Sequence, residues 1–154
     1  MLNVTLVLLA ALFVALAVAV AAEAAVYGGV RERQCDATGH CVEVAIAVET
    51  NGASIRAVGN VRCLSASGTY ACPAVYGGVV YLYRAVDNPY GSWFECGHDV
   101  FPTCGAIEHF STYWVYNAPY LTQRYQARVT IGSVCDGFNL CASSFDLWSQ
   151  AVYL

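Results

Sequence analysis

Lysine is absent from this chain, and its positive charge comes entirely from seven arginines. The arginines are dispersed and are outnumbered by eleven aspartates and glutamates, which gives a formal net charge of -4 at pH 7. Proteins that bind nucleic acid neutralise phosphates with a basic patch or stripe. Because this chain has no such stripe, we expect no nucleic-acid partner.

Charged residues of either sign make up only 12% of the 154 residues. The surface must therefore be covered largely by small polar residues, glycine and tyrosine. Sustained helical periodicity is also missing after residue 24, and Gly, Pro, Asn and Ser interrupt the chain at short intervals. These absences argue against long amphipathic helices and favour a protein built from short strands and turns.

The one long apolar run lies at the start of the sequence, from Leu2 to Ala22. Small residues follow it, and Ala22-Glu23-Ala24 fits the A-x-A cleavage pattern of an export signal. We therefore expect a signal peptide at residues 1–24 and a single disulfide-rich β domain at residues 25–154. The mature protein is then secreted, in the extracellular space or at the cell surface.

An uncleaved membrane anchor is the alternative, since about 20 apolar residues can span a bilayer. Arg31 and Arg33 lie just beyond the run. By the positive-inside rule they favour a cytoplasmic side for the remainder of the chain, where disulfides do not persist. We therefore expect no membrane association after signal cleavage.

All eight cysteines lie after the apolar run, and an even number in an exported chain predicts a disulfide framework. Cys35 and Cys41 are six residues apart, as are Cys135 and Cys141, and an Asp follows the first cysteine of each pair. Asp and Gly between them favour tight turns, so each pair is expected to close a hairpin. Nearest-neighbour pairing extends this interpretation to all eight: Cys35 with Cys41, Cys63 with Cys72, Cys96 with Cys104, and Cys135 with Cys141.

Alternation with a period of two predicts half-buried strands in several segments. Val42, Val44, Ile46 and Val48 share one face of a predicted strand, whose other face carries glutamates. A second such face carries Tyr125, Ala127, Val129 and Ile131, and a third runs from Ile55 to Cys63. Two further segments rich in β-branched and aromatic residues, Val79–Tyr83 and Thr112–Tyr116, are also predicted to be strands. Val79–Tyr83 is predicted to be a central strand of its sheet.

About eight short strands predict a mainly β, antiparallel sandwich or barrel. Arg124-Tyr125-Gln126-Ala127 resembles the tyrosine-corner strand of immunoglobulin domains, with Ala127 where antibody domains carry a cysteine. This resemblance implies an immunoglobulin-like β-sandwich, here stapled by disulfides. The Cys…Trp…Cys spacing of antibody domains is absent, so the resemblance concerns architecture alone.

The hexapeptide Ala25-Val26-Tyr27-Gly28-Gly29-Val30 recurs as Ala74-Val75-Tyr76-Gly77-Gly78-Val79. An internal duplication explains the recurrence, and so does chance in a chain rich in these residue types. The flanking residues differ between the two copies, which favours chance.

Potential metal ligands are densest between residues 96 and 109. A zinc site there would use Cys96, His98, Cys104 and His109. Disulfide pairing is favoured over zinc in an exported chain, so we expect no metal and no cofactor. Catalytic patterns such as G-x-S-x-G are missing, so the chain is not predicted to be an enzyme; a secreted hydrolase is the third hypothesis.

Aromatic residues crowd the region from 88 to 120 and offer contact surfaces for a protein or a carbohydrate. The predicted partner-binding residues are Tyr90, Trp93, Trp114, Tyr116 and Tyr120. Burial in the core is the alternative for any one of these rings. The leading hypothesis is thus a secreted, non-enzymatic binding module whose partner is a protein or a carbohydrate.

The nine-residue run Cys72-Pro73-Ala74-Val75-Tyr76-Gly77-Gly78-Val79-Val80 resembles the reactive-loop segment of the bacterial subtilisin-inhibitor family. The resemblance implies that Ala74 is the specificity residue, Ala74-Val75 the scissile-like bond and Cys72 the anchor of the loop. It makes an inhibitor of exported serine proteases the second hypothesis. Under that hypothesis Ala74 lies at the tip of a convex, exposed loop.

Overall fold

The computed structural model describes residues 24–86, 92–101, 106–117 and 123–154. Within these ranges the chain forms strands and no helix. In chain order the strands are β1 (Ala25–Cys35), β2 (Cys41–Thr50), β3 (Ser54–Ser65), β4 (Gly68–Tyr70), β5 (Ala74–Val86), β6 (Phe94–Phe101), β7 (His109–Ser111), β8 (Val115–Tyr116), β9 (Gln123–Cys135), β10 (Cys141–Trp148) and β11 (Val152–Tyr153). The described residues therefore include no helix with the length and apolarity needed to cross a bilayer.

The strands form two antiparallel sheets, which we call sheet A and sheet B. Sheet A has the order β1-β2-β3-β4, and β7 and β8 pair with β3 beyond the part that pairs with β4. Sheet B has the order β10-β9-β5-β6, and β11 pairs with β9. The prediction of a mainly β, antiparallel protein is confirmed, as is the central position of Val79–Tyr83, which lies on β5 between β9 and β6.

The core lies between the two sheets and consists of the faces that alternation predicts. On β2 the inward residues are Val42, Val44, Ile46 and Val48, all buried. On β9 they are Tyr125, Ala127, Val129 and Ile131, also buried. Strand β5 contributes Val75, Val80 and Leu82. Removing these apolar side chains from water is the main favourable contribution to folding.

The prediction of a strand over Thr112–Tyr116 is only half right, because just Val115 and Tyr116 pair with β3. At Thr112 the amide donates to the carbonyl of Ala57, while the Thr112 hydroxyl oxygen accepts from the Ala57 amide, at 3.0 and 3.1 Å. A side-chain oxygen thus takes the place of a backbone carbonyl, and the chain leaves the regular ladder at residues 112–114.

Three of the four nearest-neighbour disulfides are present: Cys35–Cys41, Cys63–Cys72 and Cys135–Cys141. Cys96 has a free thiol, which lies 3.3 Å from the carbonyl oxygen of Leu82, and Cys104 lies outside the described residues. Burial raises the pKa of the Cys96 thiol to about 11. This thiol therefore stays protonated at neutral pH and is a poor nucleophile.

All three bridges lie at one end of the sandwich, where each closes a loop between neighbouring strands. We call the loops closed by Cys35–Cys41, Cys63–Cys72 and Cys135–Cys141 the stapled end. Sheet pairing brings them together, because Cys41 lies opposite Leu64 and Ala74 lies opposite Cys135.

The two copies of the repeated hexapeptide begin β1 and β5, which belong to different sheets. The first glycine of each copy has a positive φ, 64° at Gly28 and 58° at Gly77. A Cβ atom at Gly28 would also lie 2.6 Å from the carbonyl oxygen of Gln150. The two copies therefore share a local backbone conformation that requires glycine.

Candidate functional site

Each of the three tryptophans of the chain lies beneath the guanidinium group of an arginine. The distance from the guanidinium carbon to the ring centroid is 4.4 Å for Arg56 over Trp114, 4.8 Å for Arg128 over Trp148 and 5.4 Å for Arg124 over Trp93. Such contacts are attractive because the positive charge faces the negative face of the ring. The tryptophans are therefore held at the surface in defined positions.

A group of aromatic rings lies on the outer face of sheet B. The ring centroids of Tyr81 and Tyr83 are 5.8 Å apart, and those of Tyr83 and Trp148 are 5.2 Å apart. Strand pairing explains this, because Arg128 on β9 lies between Trp148 on β10 and Tyr81 on β5. We call Tyr81, Tyr83, Trp148 and Arg128 the sheet B aromatic cluster.

Arg128 is fixed in the cluster by Asp146. Its Nε and one terminal nitrogen donate to the two carboxylate oxygens of Asp146, each at 2.8 Å. These hydrogen bonds raise the pKa of Arg128 above its ordinary value and lower the pKa of Asp146. The pair stays ionised at neutral pH, and its bidentate geometry keeps the guanidinium over the Trp148 ring.

The predicted partner-binding residues fall on different parts of the surface. Trp114 and Tyr116 are 37% and 67% exposed, and both lie at the β8 side of sheet A. Trp93 is half-buried against Arg124. Tyr90 and Tyr120 lie outside the described residues.

The sheet B aromatic cluster was not among the predicted contact residues, although one signal for it was present. Tyr81 and Tyr83 alternate with buried Val80 and Leu82 in a strand predicted from its composition, so both tyrosines must point away from the core. Nothing in the sequence places Trp148 beside them, because that contact depends on the pairing of β9 with both β5 and β10.

A cleft of about 540 Å³ opens where β3 and β7 of sheet A meet β6 of sheet B. Arg56 lies in the wall of the cleft, where its guanidinium stacks on the Trp114 ring and donates to the carboxylate of Glu49. Residues from all three strands and from β2 line the cleft: Glu49, Arg56, Val58, Gly59, Asp99, Val100, Phe101, Ile107, His109, Phe110 and Ser111. Five of these residues are in the predicted contact region from 88 to 120 and have polar or aromatic side chains: Asp99, Phe101, His109, Phe110 and Ser111.

The floor of the cleft is a stacked pair of rings, Phe101 and Phe110, whose centroids are 4.8 Å apart. Each ring packs on a glycine. A Cβ at Gly59 would lie 2.3 Å from the Phe110 ring, and a Cβ at Gly78 would lie 2.2 Å from the Phe101 ring. The two glycines therefore make room for a ring pair that joins the two sheets.

Three cleft residues, Asp99, His109 and Ser111, are of the types used in a catalytic triad. In the described part of the chain no hydrogen bond joins their side chains to one another. Asp99 Oδ1 accepts a hydrogen bond from the amide of Val100 at 2.8 Å, and Nε2 of His109 lies 3.8 Å from Oε1 of Glu108. The arrangement offers hydrogen-bonding groups to a ligand rather than an assembled nucleophile and base.

The predicted zinc ligands are not gathered into one group among the described residues, where no three metal-ligating side chains converge. Cys96 is bonded to the Leu82 carbonyl, and the Nδ1 atom of exposed His98 lies 2.6 Å from Glu95. His109 belongs to β7 of the other sheet. Cys104 lies outside the described residues.

The expectation of an exposed inhibitory loop is wrong at Ala74 and Val75. Both residues belong to β5 and pair with Cys135 and Val134 of β9. Val75 is 0% exposed, because its side chain points into the core. An inhibitory bond is expected in an exposed loop, whereas these two residues are paired with β9 and Val75 is buried, so this geometry does not support the second hypothesis.

The stapled end contains a second aromatic group, which was not among the predicted contact residues. Phe138 is exposed, and its ring makes edge contacts with His40 at 5.0 Å and Tyr70 at 6.2 Å between centroids. His40 Nδ1 lies 2.9 Å from Oδ2 of Asp136, whose side chain is fully buried. This bond links the loop of β1 and β2 to the loop of β9 and β10.

Asp136 is held as a carboxylate by several donors. Burial acts to raise the pKa of Asp136, but hydrogen bonds from the Phe138 amide, the His40 ring and the Leu140 amide outweigh it and hold the pKa below its ordinary value. The carboxylate oxygen Oδ1 accepts the two amides at 2.8 and 3.1 Å. The Asp136 carboxylate therefore stabilises the conformation of the loop between β9 and β10.

Fold and surface together define a two-sheet β protein that is crosslinked at one end and presents arginine-stacked tryptophans elsewhere. The chain matches no protein-family model, no curated protein and no solved structure.

Proposed function

We propose that this protein is a secreted, non-enzymatic binding module that contacts a protein or carbohydrate partner through its surface tryptophans. The observation that carries the proposal is the stacking of every tryptophan on an arginine, with Trp114 and Trp148 exposed. A tryptophan that is buried in the core does not need a stacked arginine. An arginine that stays in water gains little free energy from stacking on a tryptophan.

The composition of these contacts is that of binding hot spots, which are enriched in tryptophan, tyrosine and arginine. The sheet B aromatic cluster combines all three types. Because Asp146 and the neighbouring rings already fix Arg128 and Trp148, little side-chain freedom remains to be lost on binding. An exposed, prearranged aromatic group thus favours association over a purely structural role.

Three intrachain disulfides support a location outside the cytosol, where such bridges persist. The export signal expected at residues 1–24 lies almost entirely outside the described residues, so secretion rests on the sequence pattern and on the bridges.

For the fold, we propose that the likeness to immunoglobulin domains is limited to the two-layer architecture and to strand β9. On that strand Tyr125 is buried, and its hydroxyl lies 2.9 Å from Oδ1 of Asn117 and 3.0 Å from Oε1 of Gln123, upstream of it. The strand order differs, because β1 to β4 are consecutive neighbours in sheet A, whereas immunoglobulin sheets have the orders ABED and CFG.

Two tryptophan substitutions test the proposal, with Tyr76→Ala as the matched control. Tyr76 is 40% exposed on β5 but makes no ring contact among the described residues. The oxidised protein is applied to an array of glycans and to an array of secreted proteins. We expect Trp148→Ala or Trp114→Ala to weaken capture of a bound partner by about tenfold or more, and Tyr76→Ala to leave it unchanged.

Equal capture by all three variants on both arrays would contradict the proposal. Thermal unfolding of each variant accompanies the arrays, so that loss of binding is separated from loss of fold.

A further inference from the structure

The cleft between β3, β6 and β7 is independent of the sheet B aromatic cluster and has a distinct chemical character. Its floor is apolar, formed by the stacked rings of Phe101 and Phe110, and its walls are polar. A concave site of a few hundred cubic ångströms that joins an apolar surface to a few converging polar groups is the usual form of a small-ligand site.

We propose that this cleft binds an uncharged, hydroxyl-rich ligand, that is, one or two units of a neutral carbohydrate. The proposal goes beyond the tryptophan-mediated binding above and does not depend on the contact made by Trp148, which lies on the outer face of sheet B and not in the cleft.

The charges in the cleft exclude anionic ligands. The only arginine in the lining, Arg56, is already paired with the carboxylate of Glu49. Asp99 adds a second carboxylate with no cationic partner among the described residues. Glu49, Asp99 and Arg56 together carry one net negative charge. A phosphate, sulfate or uronic acid would meet repulsion here rather than a basic clamp.

The hydrogen-bonding groups match hydroxyls instead. One oxygen of Asp99, Oδ1, is bonded to the Val100 amide, which leaves Oδ2 without a protein donor in the described part of the chain. The Ser111 hydroxyl likewise has no protein partner among the described residues and is able both to donate and to accept. A sugar hydroxyl has the same dual capacity, so adjacent hydroxyls can satisfy both groups.

The apolar floor suits the other surface of a sugar ring. Phe101 and Phe110 are held by Gly59 and Gly78, and each ring is less than one tenth exposed. Carbon-bound hydrogens of a pyranose can lie on such a floor while the hydroxyls reach the walls. An aliphatic ligand would leave Asp99 and Ser111 desolvated without partners, which costs free energy.

Amide and indole NMR of the oxidised, wild-type protein provides the test. The probes are cellobiose, maltose and N,N'-diacetylchitobiose, each compared with glucuronic acid and glucose 6-phosphate. We expect saturable shifts with at least one neutral disaccharide at the amides of Gly59, His109 and Ser111. The indole signal of Trp114 should move as well, because its ring contacts Arg56, whereas that of Trp148 should not.

Two carboxylate variants separate binding in the cleft from a general effect. Asp99→Ala should weaken binding of the neutral disaccharide by about tenfold, since it removes a charged hydrogen-bond acceptor. Glu32→Ala is the matched control, because exposed Glu32 lies on β1 outside the lining of the cleft, and it should leave the affinity unchanged. Ser111→Trp should fill the cleft and abolish the shifts.

Three results would overturn the carbohydrate assignment: no saturable shift with any neutral disaccharide, tighter binding of an anionic probe, or equal loss in Asp99→Ala and Glu32→Ala. None of these results bears on partner capture by Trp148, which is measured separately on the arrays.

Discussion

The two ends of the sandwich are held together by different means. At the stapled end three disulfides close three neighbouring loops, and Asp136 links two of them through His40. At the opposite end, in the described residues, the order comes from hydrogen bonds around Tyr125 and from arginines stacked on Trp93 and Trp114. Covalent crosslinks stabilise one end, while hydrogen bonds and arginine–tryptophan stacking order the other.

This difference separates stability from binding. A disulfide limits the freedom of the unfolded chain and needs no exposed side chain to do so. A binding residue must be accessible yet already ordered, and an arginine stacked on a tryptophan meets both conditions. The residues at the stapled end should therefore affect stability most, and those on the arginine–tryptophan pairs should affect binding most.

The largest expected effect belongs to the buried bridge of the stapled end. Cys63 and Cys72 are both 0% exposed and enclose a loop of ten residues, whereas Cys35 and Cys41 enclose seven. We expect Cys63→Ala/Cys72→Ala to lower the free energy of unfolding by about 3 kcal/mol or more, and Cys35→Ala/Cys41→Ala by about 2 kcal/mol. Equilibrium unfolding in guanidinium chloride measures both; a larger loss from the exposed bridge would refute this order.

At the opposite end the buried hydroxyl of Tyr125 contacts two side-chain amide oxygens, those of Asn117 and Gln123. Tyr125→Phe removes a buried hydroxyl and leaves the amide oxygen of buried Gln123 without this donor. We expect a loss of about 1–3 kcal/mol in the free energy of unfolding. Tyr153→Phe is the matched control, because Tyr153 is exposed, and it should change stability by less than about 0.5 kcal/mol.

The link between the stapled loops should depend on pH through Asp136. Its pKa in the folded protein lies below the ordinary value of 3.8. The carboxylate therefore contributes stability that is fully present above that value and is lost as the pH falls through the lower, folded pKa. Asp136→Asn should cost about 1–2 kcal/mol at pH 7, and the gap from wild type should narrow below pH 4.

Urea unfolding of wild type and Asp136→Asn at pH 7, 5 and 3 checks this. A gap of constant size across the series would show that the charge of Asp136 does not contribute.

The smallest effect on stability is expected at the sheet B aromatic cluster. Arg128→Gln removes the guanidinium that stacks on Trp148 and breaks the ion pair with Asp146. Arg128 and Asp146 are both partly exposed. We expect less than about 1 kcal/mol of destabilisation. Partner capture on the arrays should nevertheless fall, since the Trp148 ring is no longer fixed. An Arg128→Gln variant that unfolds more easily yet binds normally would contradict the separation of stability from binding.

Much of the framework could be predicted because it depends on local pattern. The alternation in Val42–Glu49 and Tyr125–Ile131 identified strands and their inward faces, since successive side chains in a strand point to opposite sides. The bridges Cys35–Cys41 and Cys135–Cys141 followed from short spacing with Asp and Gly between the cysteines. Each of these features involves residues within about ten positions of one another.

The errors arose where a contact joins distant segments. Val75 was read as part of an exposed loop from a nine-residue resemblance, yet pairing with Val134 places it in the core. Thr112–Tyr116 was predicted to be one strand, but only Val115 and Tyr116 pair with β3, because the backbone leaves the ladder at Thr112.

Residue order alone therefore specified several of the strands, their buried faces and three of the crosslinks, because these follow from periodicity and from short loops. Only the tertiary structure decided the other features. Packing of the two sheets produced the cleft over Phe101 and Phe110 and the link from His40 to Asp136, whereas contacts within one sheet placed an arginine above each tryptophan. These contacts join residues up to about a hundred positions apart, and a local sequence pattern does not specify which separate segments meet.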